Sequence, residues 1–364
     1  MKITDYLTVG DMSALGFGAM RLPDVNETSK MVDLYLNSGY NYFDTAYIYT
    51  GLEELLKKAL TDRHPRDSFF VANKLPPWEV KNHKDCEKIF AEQQRRTGLD
   101  YFDFYLVHSL DDSREKGVED MGLFDWVAEQ KKKGKVKHMG FSFHGSTAYL
   151  ERLLERHPEA EFVQLQLNYV DILRGPAGEW QALANKYNKP IVVMEPVKGG
   201  SLAALPPKAE ALFKELDPNR SIASWAVQYA ATLKGTTCML SGMSTVDQVE
   251  DNIKTFKNLR PLTSDEMEVI ENVLAEMAKV SSIPCTACKY CHENCPQGIE
   301  IATCFSLYNE LKRGSSHWNR SAIYKALSPD KRADACTSCA ACLSHCPQHI
   351  NIPEELPKVV ETFK

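Results

Sequence analysis

The sequence predicts an α/β protein: a (β/α)8 TIM barrel followed by a small, mostly α-helical domain. The 364 residues suit one large domain and one small domain. Short apolar runs alternate with amphipathic stretches over about the first 260 residues, and nine of the 11 cysteines lie between residues 285 and 346. We therefore expect the barrel at 1–262, a connecting helix at 263–280 and the cysteine-rich domain at 281–364.

The predicted strands are apolar runs rich in β-branched and aromatic residues. Several are apolar nearly throughout, as expected of a strand covered on both faces. The runs are Ala14–Leu22, Tyr42–Ala46, Phe69–Leu75, Phe102–His108, Val136–Phe143, Phe162–Tyr169, Pro190–Val197 and Thr236–Gly242. Amphipathic stretches such as Met31–Gly39, Glu53–Leu60 and Ser146–His157 predict helices between them. Eight strand–helix units in about 250 residues fit a closed barrel better than an open sheet, which usually has fewer strands.

The sequence predicts that the region after the barrel is helical. Asp265–Ala278 has a helical pattern, and Ser264 stands where an N-cap is expected. Within the cysteine-rich domain, Ala302–Lys312 and Ser321–Leu327 are the predicted helices.

Composition and charge exclude several classes of protein. With 43% hydrophobic and 25% charged residues the chain can bury a core, and its net charge of −6 does not suit a nucleic-acid-binding protein. We find no apolar run of about 18 residues and no signal peptide at the N-terminus, so neither a membrane nor secretion is expected. A long chain of this kind points to the cytoplasm, where cysteines serve as metal ligands and not as disulfides.

The cysteines form two runs of identical spacing, C-x2-C-x2-C-x3-C-P. This spacing is that of bacterial ferredoxins, in which three cysteines hold one [4Fe–4S] cluster and the fourth ligates the other cluster. The first cluster is then assigned to Cys285, Cys288, Cys291 and Cys346, and the second to Cys336, Cys339, Cys342 and Cys295. A structural zinc site is the alternative, but zinc needs only four ligands.

Two features lie outside the cysteine runs. Cys304, Cys86 and Cys238 are interpreted as buried core thiols. The 40 residues between Cys295 and Cys336 have a helical pattern that resembles the α-helical ferredoxins.

Ionisable residues stand at the carboxyl ends of neighbouring predicted strands, where the chemistry of such barrels takes place. Asp44 lies at the end of the second strand and Tyr49 follows shortly after it, Lys74 ends the third strand and His108 ends the fourth. Each alone has an ordinary structural interpretation, as a cap, a surface aromatic, a solvated lysine or a core histidine. Together they suit a proton donor with its modulators, because a nearby ammonium lowers the tyrosine pKa from about 10 and a carboxylate holds that ammonium charged.

Over residues 14–260 the sequence resembles the aldo/keto reductase family. The resemblance rests on Asp44-Thr45-Ala46-x-x-Tyr49, Lys74, the run Leu99–His108, the run Gly134–Ser142, Val163-Gln164, and Ser241–Met243 through Asn252. It implies that Tyr49 is the general acid, Lys74 its activator, Asp44 the partner of the lysine and His108 the residue that orients the carbonyl.

The resemblance also implies an extended nicotinamide dinucleotide, NAD(P)(H), across the barrel mouth. Ser142 and Gln164 match the positions that hold the carboxamide, and Gly200, Ser201 and Leu202 match the pyrophosphate loop. The adenosine side corresponds to the segment after the eighth strand, with Gly242, Met243, Gln248, Asp251 and Asn252.

This chain departs from the family at three places. Phe143 follows Ser142 where asparagine is common, and Met194 takes the place of a tyrosine that stacks on the nicotinamide. Gly242 and Gln248 replace the basic pair that clamps a 2′-phosphate, although Arg21, Lys254 or Lys257 could substitute. The choice between NADPH and NADH therefore stays open.

Three functional interpretations follow. The first is a reductase that interconverts a carbonyl and an alcohol, with an accessory iron–sulfur domain. The second is a protein coupling a substrate reaction to ferredoxin-type electron transfer, with a ferredoxin-like partner; a flavin would suit it, because nicotinamide moves two electrons and each cluster accepts one. No sequence motif indicates flavin. The third is an electron carrier with the barrel as scaffold, which the complete set of four rim residues argues against.

Aromatic residues on or near the predicted rim could line a partly apolar substrate pocket. The residues are Tyr47, Trp78 and Phe143, and ordinary packing is an equal alternative for each of them.

Overall fold

A computed structural model of the protein describes residues 11–280, 282–313 and 317–364. Strands β1–β8 span Leu15–Gly18, Tyr42–Asp44, Phe70–Leu75, Phe102–Leu110, Val136–Phe143, Phe162–Gln166, Ile191–Met194 and Thr236–Ser241. They form one closed parallel barrel, in which β1 pairs with both β2 and β8. The predicted (β/α)8 barrel is therefore confirmed.

The described helices separate and follow the strands. Helices α1–α8 span Val25–Asn37, Leu52–Leu56, His83–Thr97, Glu115–Asp120, Leu123–Lys132, Thr147–Arg156, Tyr169–Arg174 and Ala177–Lys186. Helices α9–α15 span Pro207–Leu216, Ile222–Ala231, Val246–Lys257, Ser264–Ala278, Ile301–Lys312, His317–Ala326 and Ile352–Phe363. None of the described helices combines the length and apolar character needed to cross a bilayer.

Side chains from β2, β3, β4, β6, β7 and β8 fill the barrel interior. The buried set is Tyr42, Ala72, Phe104, Leu106, Phe162, Val192, Cys238 and Leu240. Gly16 of β1 faces this set, and a Cβ atom on it would lie 2.7 Å from both Cys238 Sγ and Leu240 Cδ2. Since a carbon atom cannot approach that closely, the interior is packed to the point at which β1 needs a glycine there.

Several strands end at positions that capping or backbone geometry explains. The predicted strand over Phe162–Tyr169 stops at Gln166, because the Asn168 side chain accepts hydrogen bonds from Val170 N and Asp171 N and so caps α7. The seventh strand stops at Met194, and the next residue, Glu195, has a φ of 54°. The fourth strand instead runs two residues beyond His108, through an irregularity between Val107 and Leu110.

The chain divides into two compact units. Of the described residues, the first unit comprises 11–196 and 224–262, and the second joins 197–223 to 263–280, 282–313 and 317–364. The segment after β7, which the sequence placed with the barrel, thus belongs to the same unit as the cysteine-rich region. Its helix α9 packs on α12.

Helix α12 begins one residue earlier than the sequence indicated. Its N-cap is Thr263, not Ser264, because Thr263 Oγ1 accepts from Glu266 N while the Glu266 side chain accepts from Thr263 N. This capping box satisfies two backbone donors at the helix start.

The second unit has its own apolar core, built by α13, α15 and the loops around the cysteines. Its most buried members include Cys304, Phe305, Ile301, Ile352 and Val359. The rings of Tyr324 and Phe363 stack with centroids 4.8 Å apart. The helical prediction for this domain is confirmed, and α14 begins four residues before the predicted start at Ser321.

Candidate active site and cysteine clusters

The barrel brings Asp44, Lys74, Tyr49 and His108 together at the carboxyl ends of β2, β3 and β4. Lys74 Nζ donates to Asp44 Oδ1 at 2.6 Å and to the carbonyl of Thr45 at 2.7 Å. The same nitrogen lies 5.5 Å from the ring centroid of Tyr49, and the Tyr49 and His108 ring centroids are 6.4 Å apart. The four residues that the sequence singled out therefore form one cluster.

Burial and the partner's charge have opposite effects on the pKa values of Lys74 and Asp44. Burial lowers the pKa of Lys74, and the carboxylate of Asp44 is the main influence that raises it again. Burial raises the pKa of Asp44, and Lys74 opposes that shift. Because each charge compensates the other in a site withdrawn from water, the pair holds a lysine ammonium beside Tyr49.

His108 is buried, and its pKa lies well below the usual range. Burial is the largest cause, followed by the positive charges of Lys74, His144 and Arg114. The imidazole is therefore neutral at neutral pH. A neutral ring can donate one hydrogen bond to a carbonyl oxygen without competing with Tyr49 for the role of acid.

A network behind Lys74 was not predicted from the sequence. Asn73 Oδ1 accepts from Lys74 N at 2.8 Å and from Gln93 Nε2 at 2.7 Å, while Asn73 Nδ2 donates to the buried Glu53 Oε1 at 2.8 Å. Arg96 NH1 donates to Glu53 Oε2 at 3.1 Å and to the carbonyl of Tyr47 at 3.2 Å. Residues from β3, α2 and α3 thus fix both the lysine and the segment before Tyr49. The position of Asn73 could be inferred because it precedes Lys74 in the predicted third strand, but no sequence pattern indicated a role for Arg96.

The aromatic residues near the rim divide into two kinds. The ring of Trp78 lies 5.5 Å from that of His108, with the Arg114 guanidinium 4.8 Å from the Trp78 ring centroid. Phe143 is instead fully buried against Trp180 and Tyr149, so it is a packing residue. Tyr47 stacks on Arg96. Trp78 is therefore the one of the three that contacts a residue of the cluster.

The two residues predicted to hold a carboxamide are neighbours in the sheet. Ser142 of β5 and Gln164 of β6 are paired in register. Ser142 Oγ accepts from Ser109 N at 2.7 Å. Gln164 Oε1 is buried and accepts no hydrogen bond from the described residues. A buried acceptor of this kind fits an incoming amide donor, which the nicotinamide carboxamide carries.

The segment after β8 holds the residues predicted for the adenosine side. Gly242 is exposed, Met243 is buried, and Asp251 and Asn252 lie on α11. Asn252 Nδ2 donates to Ser241 Oγ at 2.7 Å, and Gln248 Oε1 accepts from Ser244 N at 2.7 Å. The side-chain amides of Asn252 and Gln248 therefore stabilise the conformation of the segment after β8.

The basic residues that were considered for binding a 2′-phosphate lie around the segment after β8. Ser244 Oγ donates to the carbonyl of Arg21 at 2.9 Å, which brings Arg21 beside it. Lys254 and Lys257 are exposed on α11.

Gly200, Ser201 and Leu202 belong to the second unit. Their backbone donors are used within the turn: Gly200 N and Leu202 N both donate to the Val197 carbonyl, at 2.9 and 3.1 Å, and Ser201 N donates to the Lys198 carbonyl at 3.2 Å. Lys198, Gly199 and Gly200 all have positive φ. A phosphate role for this loop remains a prediction.

The two cysteine runs fold alike. Ala287 N donates to Cys285 Sγ and Ser338 N donates to Cys336 Sγ, both at 3.4 Å. The second and fourth residues after the first cysteine have positive φ in both runs, namely Ala287, Lys289, Ser338 and Ala340. The sequence repeat is therefore a structural repeat.

Each set of four predicted ligands lines one small cavity. Cys285, Cys288, Cys291 and Cys346 line the first, and Cys295, Cys336, Cys339 and Cys342 line the second. No group of three metal-binding side chains among the described residues could hold a single ion. Four thiols around an apolar cavity fit a cubic iron–sulfur cluster, which uses one cysteine at each iron, better than they fit zinc.

The three remaining cysteines are all fully buried, as the sequence indicated. Burial raises the pKa of the Cys304 thiol to about 12, so it stays protonated within the core.

A closed barrel with this rim cluster, joined to paired cysteine sites, defines a class of redox protein. Residues 14–275 match the model of the aldo/keto reductase family, and residues 284–350 match that of a 4Fe-4S dicluster domain. The chain belongs to the aldo/keto reductase family and is an oxidoreductase with a C-terminal iron–sulfur domain.

The most similar proteins include enzymes of yeast and bacteria. Aldehyde reductase YPR1 of Saccharomyces cerevisiae is 28% identical over 286 residues, which cover 69% of this chain and 88% of the relative. Glycerol 2-dehydrogenase (NADP(+)) of the same yeast is 26% identical over 305 residues, covering 76% and 91%. The holo form of aldo-keto reductase AKR11C1 from Bacillus halodurans superposes with a TM-score of 0.60 at 25% identity, covering 73% of this chain and 95% of that one.

Proposed function

We propose that the chain interconverts a small carbonyl compound and its alcohol with a nicotinamide dinucleotide. The observation that carries this proposal is the buried Lys74–Asp44 pair, with Nζ 2.6 Å from Oδ1 and 5.5 Å from the Tyr49 ring centroid. A charged lysine at that distance favours ionisation of the phenol and makes Tyr49 a stronger acid. General acid catalysis of this kind contributes about 10²–10⁴-fold in rate.

The dinucleotide, when bound, supplies or accepts the hydride. Ser142 and Gln164 orient its carboxamide, and the segment from Gly242 to Asn252 holds the adenosine side. His108 donates a hydrogen bond to the substrate oxygen, and Tyr49 then transfers its proton to that oxygen. Lys74 stabilises the phenolate that remains until solvent returns the proton.

Purified protein should therefore oxidise NADPH or NADH in the presence of an aldehyde or ketone. The decisive measurement is a screen of carbonyl compounds and alcohols with both cofactors, on anaerobically prepared protein with its iron content determined. Tyr49→Phe protein with the same iron content is the control. Turnover in the wild type that is absent from Tyr49→Phe supports the proposal, and equal turnover in both contradicts it.

A second function is favoured by the paired cavities, each lined by four cysteines. Two cubes at such sites would let the protein pass single electrons between its substrate reaction and a ferredoxin-like partner. That role needs a group that accepts a hydride and releases electrons singly, as flavin does. Analysis of the anaerobic protein for bound flavin separates the two functions.

A further inference from the structure

Strand β4 contains a bulge directly after His108. Val107 and Leu110, three residues apart, pair with β5 residues that are only two residues apart. Within this bulge Ser109 has a φ of 52°, in the left-handed region. That conformation is unfavourable for a residue other than glycine, and it persists only where surrounding contacts hold it.

Side chains hold both backbone groups of Ser109. Ser109 N donates to Ser142 Oγ at 2.7 Å, and the Ser109 carbonyl accepts from Arg114 NH1 at 2.6 Å. A bulge interrupts the regular hydrogen bonds between strands. These two contacts therefore support the backbone beside His108 where the strand pairing is interrupted.

The Arg114 guanidinium is itself fixed within the loop after β4. It forms an ion pair with Asp111, whose other carboxylate oxygen accepts from Ser113 N at 2.9 Å. The side chains of Arg114 and Asp111 are only 14% and 13% exposed. Charge-assisted contacts are strong where little solvent reaches them, so the loop presents the guanidinium in one orientation.

Arg114 also reaches His108 from a second side, through Trp78. The guanidinium carbon lies 4.8 Å from the Trp78 ring centroid, and the Trp78 and His108 ring centroids are 5.5 Å apart. Arg114 therefore contacts both the backbone that follows His108 and the aromatic ring beside it.

We propose that Arg114 is a positioning residue for carbonyl reduction: it holds Ser109 and the Trp78 ring, and thereby fixes the His108 imidazole against the substrate oxygen. The inference rests on the proposed function and adds a residue outside the four that the sequence singled out. Arg114 acts through its neighbours and transfers no proton. Its effect on rate can still be large, because a displacement of about 1 Å at a reacting group can cost about 10²-fold.

The test compares Arg114→Gln with Arg66→Gln by steady-state carbonyl reduction and thermal unfolding, on holoprotein of determined iron content. Arg66 makes the same kinds of contact at the opposite ends of β3 and β4: it pairs with Asp103 at 2.6 Å, donates to the Phe69 carbonyl at 2.8 Å and lies 4.1 Å from the Tyr101 ring centroid. Both variants should lose stability. Only Arg114→Gln should lower kcat, by about 10–100-fold.

Ser109→Gly distinguishes positioning of His108 from general support of the fold. Glycine adopts a positive φ without strain, so a bulge with glycine at position 109 depends less on the hydrogen bond from Arg114. In the Ser109→Gly background, Arg114→Gln should therefore lower kcat by no more than about threefold, because the effects of coupled residues do not add. Ser109→Gly and Arg66→Gln share no contact, and their effects on stability should add.

Wild-type kcat in Arg114→Gln would overturn the inference and leave the proposed function intact. The same loss of kcat with serine and with glycine at position 109 would also overturn it, since Arg114 would then act without Ser109. An equal loss in Arg66→Gln would overturn it too, because any destabilised barrel would then be slow.

The double variant also covers a failure of Arg114→Gln to fold. In that case the protein carrying both Ser109→Gly and Arg114→Gln should fold and reduce carbonyl compounds, and its failure would overturn the inference. Wild-type protein that reduces no carbonyl compound would instead refute the proposed function, and the inference with it.

Discussion

Lys74 Nζ lies 2.6 Å from Asp44 Oδ1, and the two side chains are only 2% and 5% exposed. Breaking a buried ion pair by removing one partner costs more free energy than forming the pair contributes to stability. Removal of one partner leaves the other charge uncompensated, which typically costs about 3–5 kcal/mol. The same contact would therefore serve both the proposed chemistry of Tyr49 and the stability of the barrel rim.

Asp44→Asn should shift the pH dependence of carbonyl reduction. Asp44 is the main influence that raises the pKa of Lys74 against burial. Without that carboxylate the lysine loses its proton at a lower pH, so the alkaline fall in kcat should begin at lower pH than in the wild type. Asp103→Asn is the matched control, because Asp103 is a buried carboxylate paired with Arg66 at 2.6 Å outside the cluster. It should lower stability without moving the pH profile, and the same shift in both variants would contradict the prediction.

Tyr49→Phe should remove most turnover and leave dinucleotide affinity nearly unchanged. The substitution deletes only the hydroxyl that donates the proton, a contribution of about 10²–10⁴-fold. Steady-state kinetics and cofactor titration on the same preparation check the two halves of the prediction. Tyr187→Phe, which removes a surface hydroxyl that hydrogen-bonds Glu155, should be fully active. Full activity of Tyr49→Phe would exclude Tyr49 as the acid.

His108 should show no ionisation near neutral pH. Burial and the Lys74 charge both lower the pKa of His108, so the ring should stay neutral at neutral pH. NMR titration of ¹⁵N-labelled histidine can follow this ring once its signals are assigned with His108→Gln. Lys74→Met should raise the pKa of His108, because it removes the largest charge that opposes protonation. A titration of His108 at about pH 6.5 in the wild type would contradict the neutral assignment.

The barrel was predictable from the sequence because each of its strands has a recognisable hydrophobic pattern. Each is a short apolar run, and parallel strands covered on both faces have no polar alternation to obscure them. Asp44, Lys74 and His108 could be found because they end such runs, so strand order alone brings them to one rim. Tyr49 lies beyond the end of its strand and was singled out with them as the proton donor of the set.

The supporting contacts were not predictable in the same way. Arg96 is one of several charged residues on α3, and only the fold shows that it reaches Glu53 and the Tyr47 carbonyl. The closeness of Gly199 to Thr286 joins residues far apart in the chain, with no pattern that links them. Likewise the N-cap of α12 depends on which of two adjacent residues, Thr263 or Ser264, reaches Glu266.

The crossed assignment of the cysteines can be tested by one substitution. Anaerobic protein should contain about eight irons and eight sulfides if both sites hold cubes. Cys295 lines the same cavity as Cys336, Cys339 and Cys342, so Cys295→Ala should damage that cluster and spare the one bound by Cys285, Cys288 and Cys291. Electron paramagnetic resonance of the reduced protein distinguishes the two clusters.

Cys304→Ala is the control for loss of a cysteine from this domain. Cys304 is buried and lines neither cavity, so both signals should persist. Zinc in place of iron, or Cys295→Ala damage confined to the cluster of its own run, would overturn the assignment.

The last prediction concerns electron flow between the dinucleotide and the clusters. Nicotinamide gives up two electrons as a hydride, whereas each cluster accepts one, and direct transfer would require an unstable nicotinamide radical. In protein shown to lack flavin, NADPH or NADH should therefore fail to bleach the visible absorption of the clusters at the rate of turnover, while dithionite should bleach it. Protein that contains flavin should behave in the opposite way, because flavin accepts the hydride and releases electrons singly.

Anaerobic stopped-flow absorption measures this directly, with Tyr49→Phe as a companion variant. Hydride transfer to flavin does not need the proton of Tyr49, so flavin-mediated bleaching should survive in Tyr49→Phe even though carbonyl reduction does not. Bleaching at the turnover rate in flavin-free wild-type protein would show that the argument from electron number is wrong. It would also favour electron transfer as the role of the iron–sulfur domain.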